Sequence, residues 1–162
     1  MRAICEHRPM EITLQAIGHV RGGRVEATDD GWGTQICQIE LDPTRFDGDS
    51  VLGLDSFSHV EVVYHFHQVA EDDVVLGARR PRGRVDWPLV GIFAQRGRVR
   101  PNRIGVCSCE VVDVSGCTVV VRGLDAIDGT PVLDIKPYML GFAPRTTVVE
   151  PSWAGEIMAE YW

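Results

Sequence analysis

The sequence predicts a mainly β protein, a small antiparallel β-barrel with few short helices and no Rossmann unit. Three observations predict it. Apolar residues alternate with polar ones across most apolar segments, the period of a half-buried strand. Gly, Pro and Asp-Gly punctuation recurs at short intervals, which leaves little room for helices. No G-x-G-x-x-G stands between a strand and a helix, so a dinucleotide-binding βαβ unit is not indicated.

The elements follow in chain order. Residues 1–10, "MRAICEHRPM", carry no apolar core of a secretory signal and read as a flexible leader. Glu11–Val20 reads as a strand. Thr34–Leu41 reads as another, with Cys37, Ile39 and Leu41 on one face. "DPTRFDGDSVLGLDSF" holds a helical turn. His59–Phe66 alternates well, with Val60, Val62, Tyr64 and Phe66 as its core face. "EDDVVLGARRPRGRVDWP" reads as a mobile loop, and Pro88–Ala94 as a short apolar strand. Ile104–Val114 and Cys117–Gly123 flank Ser115-Gly116, a two-residue hairpin turn. The last strand, Val132–Tyr138, follows the turn "DGTP". It puts Val132, Asp134, Lys136 and Tyr138 on one side and Leu133 and Ile135 on the other.

These strands give a barrel domain over 11–140. Residues 141–162 form a C-terminal extension with a short helix. Ser152 stands as its N-cap, and Trp153, Ile157, Met158 and Tyr161 lie along one helical face that packs on the barrel or on a partner subunit.

A chain of 162 residues suits a single domain with a sizeable core. No apolar run approaches a membrane span, so no membrane partner is expected. The cysteines, Cys5, Cys37, Cys107, Cys109 and Cys117, are odd in number. Without a signal peptide they argue for reduced thiols and a cytoplasmic location. Cys107-x-Cys109 lacks the spacing of a zinc ribbon, and no metal site is expected.

Charge is unevenly spread. The net charge is -7, yet eight of the sixteen cations fall between Arg79 and Arg103, with only Asp86 opposing them. That window is +7 and the remainder -14. A broad field for DNA is therefore not expected, whereas a local anion-binding patch is. Arginine suits phosphate or carboxylate because its planar fork makes two parallel hydrogen bonds.

Two strands carry candidate chemistry. His59, Glu61, Val63, His65 and His67 share one face. They are open to three readings: histidines facing solvent or a polar cavity, an organic-ligand site, or a metal held by His65 and His67. On the last strand Asp134 and Lys136 are neighbours. They read either as an exposed ion pair of little weight, or as a polar cleft in which Lys136 holds an anion and Asp134 accepts a proton. No P-loop and no G-x-S-x-G nucleophile elbow is present.

Four segments carry a resemblance: "AIGHV", "GLDSFSHVEVVYHFH", "GIFAQRGRVRPNRIGVC" and "GLDAIDGTPVLDIKPY". Together they resemble the TsaA-like family of TrmO type, over roughly residues 12 to 140. The last segment is nearly the family's L-D-x-x-[DN]-G-T-P-V-[LV]-D-I-K-P-Y. The resemblance implies a β-barrel that binds S-adenosylmethionine without a Rossmann fold. It also implies a homodimer with the cofactor near the subunit contact, and methylation at N6 of threonylcarbamoyladenosine in tRNA. By the same resemblance Phe93, Ala94, Gln95 and Arg96 line the cofactor pocket, with Arg96 on the methionine carboxylate. Arg100, Asn102 and Gly105 shape its loop. Asp125, Asp134, Ile135 and Lys136 form the facing wall, Leu133 and Ile135 flank adenine, and Asp134 and Lys136 are the catalytic candidates. This chain departs from the pattern at Gln95, at Gly97-Arg98, at Arg103 and at Cys107. It also lacks the N-terminal Ser-Pro-Phe and Pro-Arg-Gln elements. A methyltransferase for a small molecule, a non-enzymatic S-adenosylmethionine-binding protein and a metal-dependent barrel enzyme stand as alternatives.

Overall fold

The computed structural model describes residues 10–162; residues 1–9, nearly all of the expected leader, lie outside the described residues. The described residues form eight strands: β1 (Gly18–Arg21), β2 (Ile36–Leu41), β3 (His59–His65), β4 (Ala78–Arg79), β5 (Val90–Gly91), β6 (Ile104–Ser115), β7 (Thr118–Arg122) and β8 (Pro131–Pro137). Six close into an antiparallel barrel in the order β1-β2-β7-β6-β3-β8, and β4 pairs with β5 alone. Closure removes the unpaired edges that an open sheet would present.

Period-two alternation fills the barrel. Cys37, Ile39 and Leu41 of β2 point inward, as do Val60, Val62 and Tyr64 of β3, Cys107 and Cys109 of β6, and Val119 and Val121 of β7. Each fully buried aliphatic side chain contributes roughly 1.5–3 kcal/mol of transfer free energy. Among the described residues no buried side-chain polar atom lacks a partner. Gly18 allows β1 to lie tight on β2, since a Cβ there would stand 2.2 Å from the Glu40 carbonyl oxygen.

Several elements differ from expectation. The first strand starts at Gly18 rather than Glu11, because Ile12 and Leu14 find no facing surface and stay exposed. The hairpin loop is Gly116-Cys117, one residue later than expected, since Ser115 pairs with Thr118. Glycine then takes the first loop position at φ 57°, which a type II′ turn requires. Of Pro88–Ala94 only Val90–Gly91 is strand. Ile92–Ala94 turns as a 3-10 helix that buries Ile92 and leaves Phe93 78% exposed. The segment read as a mobile loop is tied down: it carries β4, buries Trp87, and pairs Arg82 with Asp30 at 2.6 Å.

The largest correction lies in β8. Val63 pairs with Asp134 but Tyr64 pairs with Val132, so Leu133 is an extra residue, a β-bulge. The bulge reverses the alternation. Val132 and Ile135 both face the core, and Asp134 and Lys136 face out. Val132 and Asp134 therefore do not share a face, contrary to the plain alternation.

The helix α1 (Ser152–Met158) starts one residue earlier than expected. Pro151 is its N-cap, no side chain caps it, and Ser152 is already helical. It docks on the loops beside the barrel. The Trp87 Nε1–H donates to Glu156 at 2.7 Å, and the Trp32 amide donates to the Tyr161 carbonyl at 2.8 Å. Among the described residues no helix is long and apolar enough to cross a membrane.

Candidate functional site

The candidate residues divide between the barrel mouth and the outer sheet face. At the mouth, the β7–β8 connection buries Leu124, Ala126 and Ile127. This anchors Asp125 between them with its carboxylate over the end of β3. The Tyr64 hydroxyl donates to Asp125 Oδ1 at 2.5 Å, and the Tyr161 hydroxyl donates to Oδ2 at 2.6 Å. Burial pushes both phenols well above the ordinary tyrosine range, and the Asp125 carboxylate adds to the effect; the Arg96 guanidinium opposes it at Tyr161. Arg96 thus stands within electrostatic reach of the same mouth. Gly105 is buried there. A Cβ on it would lie 2.5 Å from the Tyr64 ring, so the close approach that Gly105 permits is to that ring.

The four loop arginines share one feature: each has a backbone carbonyl as partner. Arg96 donates to Val106 at 2.6 Å, Arg98 to Ala27 at 3.2 Å, Arg100 to Gln95 at 3.0 Å and Arg103 to Val69 at 2.7 Å. None of these four forms a salt bridge among the described residues, so their charge is held in place without being neutralised. The Gln95 side chain bridges the carbonyls of Arg79 and Val90, tying its loop to β4 and β5. Asn102 takes φ 62° in the turn Pro101–Arg103 and is exposed. Phe93 and Ala94 are also exposed.

On the outer face, the register aligns Lys136, Glu61 and Ser108 in one row and Asp134, Val63 and Val106 in the next. Asp134 and Lys136 form an ion pair, each about half exposed. Val106 and Asp134 flank β3, so their backbones lie about 10 Å apart. The wall expected from Asp125, Asp134, Ile135 and Lys136 is therefore not one surface. Asp125 sits at the mouth, Ile135 packs inward on the core, and Asp134 and Lys136 lie outside. Leu133, at the bulge, is half-buried.

The histidine face of β3 also points outward. Burial holds His65 and His67 below the usual imidazole range, with Arg103 adding to the effect at His65. The described residues contain no cluster of three or more His, Cys, Asp or Glu placed to hold a metal. Sequence reasoning missed Tyr64 and Tyr161 as site residues, taking one for core and the other for a helix face. A signal existed: a tyrosine on an apolar face must find a partner for its hydroxyl, and Asp125 is a carboxylate in an otherwise apolar stretch.

A family model described as the tRNA-methyltransferase O N-terminal domain matches residues 29–142. A probable S-adenosyl-L-methionine-binding protein of Methanothermobacter thermautotrophicus is 39% identical over 133 residues, covering 80% of this chain and 91% of that protein. The tRNA (adenine(37)-N6)-methyltransferase of Homo sapiens is 36% identical over 102 residues, covering 63% of this chain and 23% of that one. A crystal structure of TrmO from Pseudomonas aeruginosa superposes with a TM-score of 0.73 at 25% identity, covering 91% of this chain and 64% of the other. The chain thus spans most of the first relative but under two thirds of the other two proteins.

Proposed function

Because this chain belongs to the family of the tRNA-methyltransferase O N-terminal domain, we propose that it is an S-adenosylmethionine-dependent methyltransferase whose acceptor is the N6 nitrogen of a threonylcarbamoyladenosine in tRNA. The observation that carries the cofactor reading is the Asp125 carboxylate held by Tyr161 at the barrel mouth, with the guanidinium of Arg96 close enough for its charge to act on Tyr161. A guanidinium and a carboxylate near one site complement a zwitterion, and the amino-acid end of S-adenosylmethionine is one. Arg96 binds its carboxylate through the planar fork. Asp125 takes the ammonium or the ribose hydroxyls. Phe93, Ala94 and Gln95 line the pocket, Arg100 and Asn102 hold its loop in shape, and Leu133 flanks the adenine. Ile135 supports that wall from inside the core.

Bound S-adenosylmethionine supplies a methyl group on a sulfonium, which needs in-line approach rather than activation by a metal. The chain's own contribution is alignment and a proton acceptor. On the outer face, in the row of Val106 whose carbonyl Arg96 holds, Asp134 is the proposed acceptor of the proton that leaves the nitrogen, and Lys136 orients it through their ion pair. The un-neutralised arginines Arg98 and Arg103 supply cations for the tRNA backbone. The relatives named for tRNA support this acceptor. A homodimer is also proposed, supported by the exposed apolar side chains of Phe93, Leu140 and Phe142. The location is taken as the cytoplasm, where the substrate is.

Two measurements test the reading. Calorimetry with S-adenosylmethionine is expected to give saturable binding; no heat at millimolar ligand overturns the cofactor assignment. Mass analysis of tRNA nucleosides from a deletion strain is expected to show loss of methylated threonylcarbamoyladenosine. An unchanged level transfers the acceptor to a small molecule.

A further inference from the structure

Tyr161 reaches the mouth from outside the barrel strands. Tyr161 follows α1, and its backbone is fixed before its side chain acts: the amides of Gly31 and Trp32 donate to the carbonyls of Glu160 and Tyr161 at 3.0 and 2.8 Å. A Cβ at Gly33 would stand 2.6 Å from the Trp162 carbonyl carbon, so the segment lies flat on the 31–33 backbone. From there the Tyr161 hydroxyl reaches Asp125 Oδ2, opposite the Tyr64 hydroxyl on Oδ1.

An ionised carboxylate accepts about four hydrogen bonds, two at each oxygen. The two tyrosines occupy one position on each oxygen and leave the others free for a ligand. They also fix the plane of the carboxylate, with the buried Cys107 thiol beside it. Tyr64 is rigid because it is 1% exposed within β3. Tyr161 depends on the tail being docked.

We propose that Tyr161 is a positioning residue: by holding Asp125 Oδ2 it couples docking of the C-terminal segment to cofactor binding at the barrel mouth. This rests on the reading of Asp125 as part of the S-adenosylmethionine pocket. A docked tail presents Asp125 in one orientation. A released tail leaves it able to rotate, and the ligand then bears the cost of ordering it. Thermodynamic linkage makes the coupling reciprocal, so bound ligand must hold the tail down by the same factor.

The test combines affinity with exchange. Calorimetry of S-adenosylmethionine binding is run on the wild type, Tyr161→Phe, Asp125→Asn and the double variant. Tyr161→Phe keeps the ring and removes only the hydroxyl. It is expected to weaken binding about five- to tenfold, and to have no further effect in the Asp125→Asn background. Amide hydrogen exchange supplies the second readout. Ligand is expected to slow exchange in residues 152–162 and at the Trp32 amide of the wild type, and to lose this effect in Tyr161→Phe. Where Asp125→Asn fails to fold, exchange in the wild type and Tyr161→Phe decides alone.

An unchanged affinity in Tyr161→Phe, additive effects in the cycle, or equal ligand protection in both proteins overturns the coupling. Tighter binding in Tyr161→Phe overturns it in favour of competition between tail and ligand. No binding by the wild type overturns the cofactor reading itself, and the proposal with it.

Discussion

Single residues at the barrel mouth carry the sharpest expectations. Arg96→Ala is expected to weaken S-adenosylmethionine binding by about 1.5–3 kcal/mol, the weight of a charge-assisted hydrogen bond. Calorimetry reads it, and a wild-type affinity assigns Arg96 another role. Gly105→Ala pushes a methyl group into the Tyr64 ring, and overpacking of this kind costs about 1–3 kcal/mol. A lowered urea midpoint at unchanged slope is the expected result. Alkaline pH should act on the same cluster. The Tyr64 and Tyr161 phenols are raised by burial and by Asp125, so the folded state holds their protons more tightly than the unfolded chain does. Their contribution is complete below about pH 10, the unfolded tyrosine range, and is lost as pH climbs through the raised values. Stability followed against pH should fall from there upward, less steeply in Tyr64→Phe. At this scale the sequence was partly legible. Arg96 and Asp125 were proposed from a resemblance in motif, whereas the tyrosines that hold Asp125 were not. Their contacts span 61 and 36 positions, which no local pattern reports.

Strands were more legible than turns. β2, β3, β7 and the first half of β6 lie where alternation puts them, because each buries one face and no other register can, while β6 is bulged at Val112 against β7. β8 was found as a strand but not as a bulged one. Its residue types suit either alternation, and only pairing with β3 selects the arrangement in which Leu133 is extra. That choice sets where the candidate acid and base stand, because it turns Asp134 and Lys136 outward. The helix α1 was expected from its periodicity, while its docking rests on distant partners. Trp87→Phe removes an indole donor from the Glu156 carboxylate and is expected to cost about 1–2 kcal/mol. A urea titration measures it, and a value within about 0.5 kcal/mol of zero, the size of a neutral surface change, would mean that the helix is held elsewhere.

The whole molecule combines an overall charge of -7 with an arginine window of +7. Arg98 and Arg103 hold backbone carbonyls rather than carboxylates, so a polyanion meets unpaired positive charge there. Arg98→Ala is expected to weaken tRNA binding across sequences and to reduce the dependence of log affinity on log salt by about one. S-adenosylmethionine affinity should not change. A tRNA affinity and salt slope equal to the wild type would remove Arg98 from the interface. By itself the sequence determined the β-barrel class, the inward face of most strands and the family, because period-two alternation and contiguous motifs are written locally. Only the tertiary structure decided which face Asp134 and Lys136 occupy and which side chains hold Asp125. Those outcomes depend on strand register and on tail docking, and both are set by contacts between residues far apart in the chain.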